Sequence, residues 1–153
     1  MTAKIHRRTL LASGAAVLAL AACGGEKPPT VLSVTASGAK GMNPGPDGAD
    51  RPVTLTILQM SGSGKFNAAD YYALQDPAAA LGADLLRADQ IVLSPGAPAS
   101  KAITVEAGAT AIGVLAGFRT PTGRNTRQLV TVPPKSTTMT ISVGAKGLSV
   151  TTG

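Results

Sequence analysis

The segment Thr137–Thr151, with the sequence TTMTISVGAKGLSVT, carries the pattern that decides the fold of this chain. From Met139 to Val143 every second residue is apolar and its neighbours are threonine or serine, and the alternation resumes at Leu148 after the short sequence AKG. Successive side chains of a β-strand point to opposite faces of a sheet, so this spacing is typical of strands buried on one face. The segment therefore predicts two antiparallel strands joined by a tight turn.

Similar short strands are predicted along the whole chain after position 30. The segment Ala109–Phe118 is apolar on both faces, which is typical of a strand in the middle of a sheet. Eight strands bury their apolar faces economically when two sheets pack together, so we expect an all-β, two-sheet β-sandwich. The predicted strands are Val31–Ala36, Val53–Met60, Gln90–Leu93, Lys101–Val105, Ala109–Phe118, Gln128–Val132, Thr137–Val143 and Leu148–Thr151.

A small helical insertion is predicted between the second and third strands, because the apolar spacing changes there from two residues to three or four. Asn67 is a suitable cap for a first helix, and Asp76 followed by proline is a favourable start for a second. We expect helices over Ala68–Gln75 and Pro77–Leu86, whose apolar side chains, together with both tyrosines, cover the neighbouring sheet.

Residues 1–22 have the layout of an export signal, since a basic start precedes an apolar run. The run holds about 14 residues, too few for a spanning helix, which takes about 20. It ends in Leu20-Ala21-Ala22-Cys23, which resembles the bacterial lipobox, where the cysteine thiol is acylated and the preceding peptide is removed. The sequence therefore predicts a lipoprotein signal peptide at 1–22, an acylated Cys23 with a short tether at 23–30, and a β-sandwich domain at 31–153.

The side chains of the mature chain exclude several classes of function. The only histidine, His6, lies before the cleavage point and the only cysteine is Cys23, so no imidazole and no free thiol remain for catalysis or metal binding. Asp70, Asp89 and the other acidic residues form no recognisable pair and are interpreted as surface and helix-cap charges. The 11 basic residues after position 22 face 8 acidic ones and are scattered along the sequence, unlike a nucleic-acid footprint. We predict no catalytic residue, no metal, no cofactor, no small-molecule substrate and no nucleic-acid partner.

The segment Ser37–Pro52 has four glycines, three prolines and almost nothing to bury, so it is predicted to be a long exposed loop. Loops of this length are uncommon unless they are functional or disordered. Two interpretations follow. The loop is either tolerated on the surface without a role, or it binds a partner, in which case its prolines lower the cost of ordering and Met42 supplies the one sizeable apolar contact.

The order and spacing of several motifs resemble those of one bacterial family. The motifs are MNP at 42–44, DGADRP at 47–52, ILQM at 57–60, DYYAL at 70–74, SPG at 94–96 and GVLAGFR at 113–119. Together with the lipobox, they resemble the outer-membrane lipoprotein family TssJ of the type VI secretion system. Members of that family usually carry a Trp-Arg pair shortly after the last motif, whereas residues 124–127 here read RNTR.

The resemblance implies a transthyretin-like sandwich with a structural role and no enzymatic one. The lipid would hold the domain on the outer membrane, facing the periplasm, and the domain would bind the periplasmic C-terminal domain of TssM and, through it, TssL. In the family the loop between the first two strands contacts TssM, which here implies partner binding by Lys40, Gly41, Met42, Asn43, Pro44, Asp47, Asp50 and Arg51. The alternative function is that of a periplasmic ligand-binding lipoprotein with a β-sandwich module.

Overall fold

Two four-stranded sheets packed face to face make up most of the computed structural model, which describes residues 26–153. One sheet has the strand order β4-β1-β7-β8 and the other β3-β2-β5-β6; only β1 and β7 run parallel to each other. The predicted eight-stranded sandwich is therefore confirmed. The elements are β1 Val31–Gly38, β2 Val53–Met60, α1 Gly64–Ala68, α2 Pro77–Leu81, β3 Leu85–Leu93, β4 Ala99–Thr104, β5 Ala111–Gly117, β6 Arg127–Thr131, β7 Thr137–Gly144 and β8 Gly147–Thr152.

The alternating apolar residues of both sheets fill the space between them. In the β7–β8 hairpin the apolar residues from Met139 to Val143, together with Leu148 and Val150, are all buried, and their threonine and serine neighbours face outward. Gly144 pairs with Gly147 at the turn. The hairpin predicted from the sequence is thus confirmed. Its buried side chains stabilise the fold by roughly 25 cal/mol for each Å² of apolar surface removed from water.

The strand β5 lies between β2 and β6, as its two apolar faces predict. Its inner face joins the inter-sheet core, and its outer face is covered by the insertion between β2 and β3. The ring of Phe66 lies directly on Gly113, where an added Cβ would come within 2.5 Å of the ring. A glycine at this position lets the insertion pack closely on the sheet.

The insertion differs in detail from the prediction. The prediction of a helix over Ala68–Gln75 is wrong, because α1 ends at Ala68. At that end the guanidinium of Arg127 donates hydrogen bonds to the carbonyls of Phe66, Asn67 and Ala69. A single 3₁₀ turn follows at residues 73–75. Tyr72 is 74% exposed, so the expectation that both tyrosines cover the sheet is also wrong.

The second predicted helix begins where expected but is shorter. Asp76 accepts a hydrogen bond from the Ala79 amide and caps α2, which ends at Leu81. Gly82 then adopts a positive φ of 55°, and the chain passes through a 3₁₀ turn into β3. Because β3 begins at Leu85 to pair with Met60, the residues assigned to the end of the helix form a strand instead.

Two glutamine side chains join the sheets at the open sides of the sandwich. The amide of the buried Gln59 bonds to the Thr104 carbonyl and the Glu106 amide at the edge of β4, and Gln128 bonds both backbone groups of Val150 on β8. Each amide links the two sheets at one point of the edge strand that it reaches. The side chain of Asp89 is buried beside Arg87 and Lys101, so its interpretation as a surface charge is wrong.

The loops divide between the two ends of the sandwich. The strand pairing places four loops at one end of the sandwich, which we call the distal end: 39–52, 94–98, 118–126 and 145–146. The segment preceding β1 lies at the opposite, tether end. Eight residues of β1 at about 3.3 Å each separate the two ends by about 26 Å. Across residues 26–153, no helix has the length and apolar character needed to cross a membrane.

Candidate partner-binding loop

The loop at 39–52, which joins β1 to β2, is folded onto the sandwich. Met42 is fully buried in the inter-sheet core, with its sulfur against Gly38, where any Cβ would collide with it. The prediction that this segment has almost nothing to bury is therefore wrong. The sequence pattern hid this contact because an isolated methionine among glycines and prolines has no apolar period around it.

The carboxylate of Asp50 holds the start of the loop. It accepts hydrogen bonds from the backbone amides of Gly41, at 2.8 Å, and Asn43, at 3.0 Å. Gly41 has a φ of 82°, a conformation that favours glycine and turns these amides toward the carboxylate. Bonds from amides to an ionised acceptor are stronger than neutral ones, so Asp50 fixes the backbone here.

The buried side chain of Asn43 ties the loop to its neighbour. Its amide nitrogen donates to the Pro52 carbonyl at 3.0 Å, and its oxygen accepts from the Arg119 backbone amide at 2.9 Å. Arg119 opens the loop between β5 and β6, so one side chain joins two distal loops. The Tyr71 hydroxyl donates to the adjacent Phe118 carbonyl at 3.2 Å, which brings the insertion to the same end.

Arg124 is the second connection between distal loops. Its guanidinium lies 5.2 Å from the centre of the Phe118 ring and donates to the carbonyls of Gly41, Met42 and Gly144. Three loops therefore meet at one cation. No motif in the sequence indicated this role, because the carbonyls that Arg124 reaches lie far from it along the chain.

The tip of the loop is a small turn exposed to solvent. The Gly45 amide donates to the Ala49 carbonyl at 2.8 Å, and Asp47 forms an exposed ion pair with Arg51 at 2.8 Å. The hydrogen bond from the Ala49 amide, helped by the Arg51 guanidinium, lowers the pKa of the Asp47 carboxyl. The turn therefore presents a fixed shape whose charged groups already have partners.

The structure sorts the eight predicted binding residues into two groups. Lys40, Pro44, Asp47 and Arg51 are exposed and available for contact. The other four are buried or half-buried and hold the loop: Gly41, Met42, Asn43 and Asp50. The idea that Met42 is an apolar contact for a partner is wrong, because its side chain is in the core. Cys23, the predicted lipidation site, lies outside the described residues.

This architecture places the chain among small two-sheet β-sandwich domains that carry a folded loop at one end. A family model described as type VI secretion lipoprotein (VasD, EvfM, TssJ) matches residues 30–146. The chain belongs to this type VI secretion lipoprotein family. No curated protein sequence gives a match.

Solved structures of type VI secretion proteins have a similar fold. The T6SS lipoprotein TssJ1 from Pseudomonas aeruginosa is 27% identical with a TM-score of 0.75, covering 82% of this chain and 98% of its own. Lip from Serratia marcescens, a membrane-bound component of the type VI secretion system, is 24% identical with a TM-score of 0.73, covering 80% and 98%. A chain in the structure of the T6SS protein TssM C-terminal domain (869–1107) from EAEC is 20% identical with a TM-score of 0.64, covering 79% and 97%.

Proposed function

We propose that this lipoprotein anchors the type VI secretion membrane complex to the outer membrane by binding the periplasmic C-terminal domain of TssM and, through it, TssL. The role is structural and non-enzymatic, with Cys23 as the lipidation site. Membership of the lipoprotein family supports it, and the fold also occurs in a structure of the TssM C-terminal domain. Among residues 26–153, no three His, Cys, Asp or Glu side chains form a group that could hold a metal ion.

The observation that carries the proposal is the position and rigidity of loop 39–52. Buried Met42, the Asp50 carboxylate and the Arg124 guanidinium hold its backbone in one shape before any partner arrives. A preordered loop loses less conformational entropy on binding than a flexible one. Because the loop lies at the end opposite the tether, it extends away from the lipid anchor, toward a partner that comes from the other side of the periplasm.

The test must separate binding contacts from loop folding. Replacing all of Gly41–Asp50 with a Gly/Ser linker, which would look harmless for an unstructured loop, removes Met42 from the core and should destabilise the domain. A sharper variant changes only exposed residues, Pro44→Gly with Asp47→Ser. We expect unchanged unfolding and an affinity for the TssM domain at least tenfold lower, which is roughly 1.4 kcal/mol.

Calorimetry with the purified lipoprotein in non-ionic detergent measures the change, and the control makes comparable substitutions at exposed residues of the tether end, Pro134→Gly with Glu26→Ser. If the unaltered lipoprotein binds TssM and the loop variant binds equally well, the contact surface lies elsewhere. If the unaltered lipoprotein does not bind the TssM domain, the proposed function itself is refuted.

A further inference from the structure

The charges of the described residues are distributed unevenly between the two ends. Residues 26–153 contain eleven basic and eight acidic side chains. The distal loops hold two of the acidic residues, Asp47 and Asp50, and five of the basic ones: Lys40, Arg51, Arg119, Arg124 and Lys146. The remaining basic and acidic residues are equal in number. The distal loops therefore carry a net charge equal to that of residues 26–153 as a whole, three positive charges.

The basic residues come from three loops that are far apart in the sequence but in contact in the structure. The guanidinium of Arg124 joins the carbonyls of Gly41 and Gly144, which flank Lys40 and the β7–β8 turn. The Asn125 amide donates to the Lys146 carbonyl at 2.9 Å, and the Asn43 side chain holds the Arg119 amide. The basic residues are scattered along the sequence, and in the structure five of the eleven described ones lie in the distal loops.

Three of these cations are exposed and lack an acidic partner. Among the ion pairs of the described residues, none includes Lys40, Arg119 or Lys146. Elsewhere in the described chain, Lys65, Arg87 and Lys101 each have a carboxylate within 4 Å, whereas Lys27, Arg127 and Lys135 have none, so the feature particular to the distal loops is their excess of basic over acidic residues. Side chains that are exposed, positive and unpaired on a rigid platform attract a surface of opposite charge.

We infer that the distal end is an electropositive docking surface for an acidic face of the partner protein, an inference that rests on the proposed function and specifies the chemistry of its partner. The occupant is a protein surface and not a lipid headgroup, because the tether leaves the opposite end of β1, about 26 Å away. Complementary charges of this kind mainly raise the rate at which two proteins associate. Salt weakens their attraction, because the screening length falls from about 10 Å at 0.1 M salt to about 3 Å at 1 M.

The experiment compares two charge-reversal variants of the full lipoprotein in non-ionic detergent. The test variant is Lys40→Glu with Arg119→Glu and Lys146→Glu; the control variant carries Lys27→Glu and Lys135→Glu, exposed lysines at the tether end. Association rates with the TssM periplasmic C-terminal domain are measured by biolayer interferometry at about 50 mM and about 500 mM salt. Circular dichroism and thermal unfolding verify that both variants fold.

We expect the unaltered protein and the control to associate quickly at low salt and several-fold more slowly at high salt. The test variant should associate at least tenfold more slowly at low salt and lose the salt dependence. Binding that is insensitive both to salt and to the test variant overturns this inference while leaving the proposed function intact. A test variant that associates with the TssM domain at the unaltered rate assigns the surface to another occupant, such as an anionic lipid headgroup, and overturns the inference too. If the unaltered protein does not bind the TssM domain, the proposed function is refuted, and this inference is refuted with it.

Discussion

Replacing Asp50 with asparagine should loosen the start of loop 39–52. The carboxylate accepts two amides, those of Gly41 at 2.8 Å and Asn43 at 3.0 Å. An asparagine side chain keeps one acceptor oxygen and turns its NH₂ group toward the other amide. The variant therefore loses one charge-assisted hydrogen bond and leaves one part-buried donor unsatisfied, a cost of about 1–3 kcal/mol.

This cost should appear in the global free energy of unfolding and not only in a local opening. The loop cannot detach from the sandwich without exposing Met42, which is fully buried between the sheets. A loss of about 2 kcal/mol in a domain of this size corresponds to a decrease in Tm of roughly 6–10 °C. Urea denaturation and thermal unfolding followed by circular dichroism measure both quantities.

Asp47→Asn is a matched control, since it makes the same chemical change in the same loop. The Asp47 carboxylate is exposed and bonded to Arg51 and the Ala49 amide at the tip. Surface pairs of this type contribute little, so this variant should unfold almost like the unaltered protein. Equal losses of stability in the two variants would refute the conclusion that Asp50 organises the loop. If Asp50→Asn does not lower stability at all, Met42 and Arg124 suffice to hold the loop on the sandwich.

Three further predictions follow from other parts of the molecule. Met42→Ala should destabilise the domain by about 2–4 kcal/mol in urea, because it leaves a cavity between the sheets; a change below 1 kcal/mol would contradict its burial. Cys23→Ser should abolish incorporation of radiolabelled palmitate and release the protein from outer membranes, and continued labelling would refute the lipobox assignment. Burial opposes ionisation of Asp89, but hydrogen bonds from Arg87 and Lys101 outweigh it and lower the pKa of this carboxyl below its ordinary value of about 4. The ionised Asp89 carboxylate therefore stabilises the fold fully above its ordinary pKa, and this stabilisation is lost as the pH falls through the lower pKa of the folded protein. The stability of Asp89→Asn should consequently fall less steeply in acid than the stability of the unaltered protein.

The strands could be predicted from the sequence because their alternation is local. Each inward-facing residue of β7 and β8 is two positions from the next, so the pattern needs no knowledge of the partner strand. The insertion could not be predicted in detail, because contacts from elsewhere determine its boundaries. Arg127 occupies the carbonyls at the end of α1, and pairing with Met60 turns Leu85 into a strand residue. Local helix signals identified only the start at Asp76, where the cap itself is local.

The candidate loop shows the same division between local and distant causes. Its glycines and prolines predicted a loop, but the structure that holds it depends on Asn43 reaching Arg119 and on Arg124 reaching back across more than eighty residues to Gly41. No periodicity relates these positions. The positive charge of the distal end was hidden for the same reason, since its members are separated by long stretches and become neighbours only when the strands pair.

The contacts that shape the distal end also couple its binding surface to the stability of the core. Met42 belongs to the inter-sheet core, while its own carbonyl is held by Arg124, whose guanidinium also packs on Phe118. A substitution deep between the sheets can therefore shift the backbone that carries Lys40 and the exposed tip. For this reason a change in affinity identifies a contact residue only when unfolding is unaltered, as expected for Lys40, Arg119 and Lys146. A change in both, as expected for Met42 or Asp50, identifies a residue that holds the surface in place.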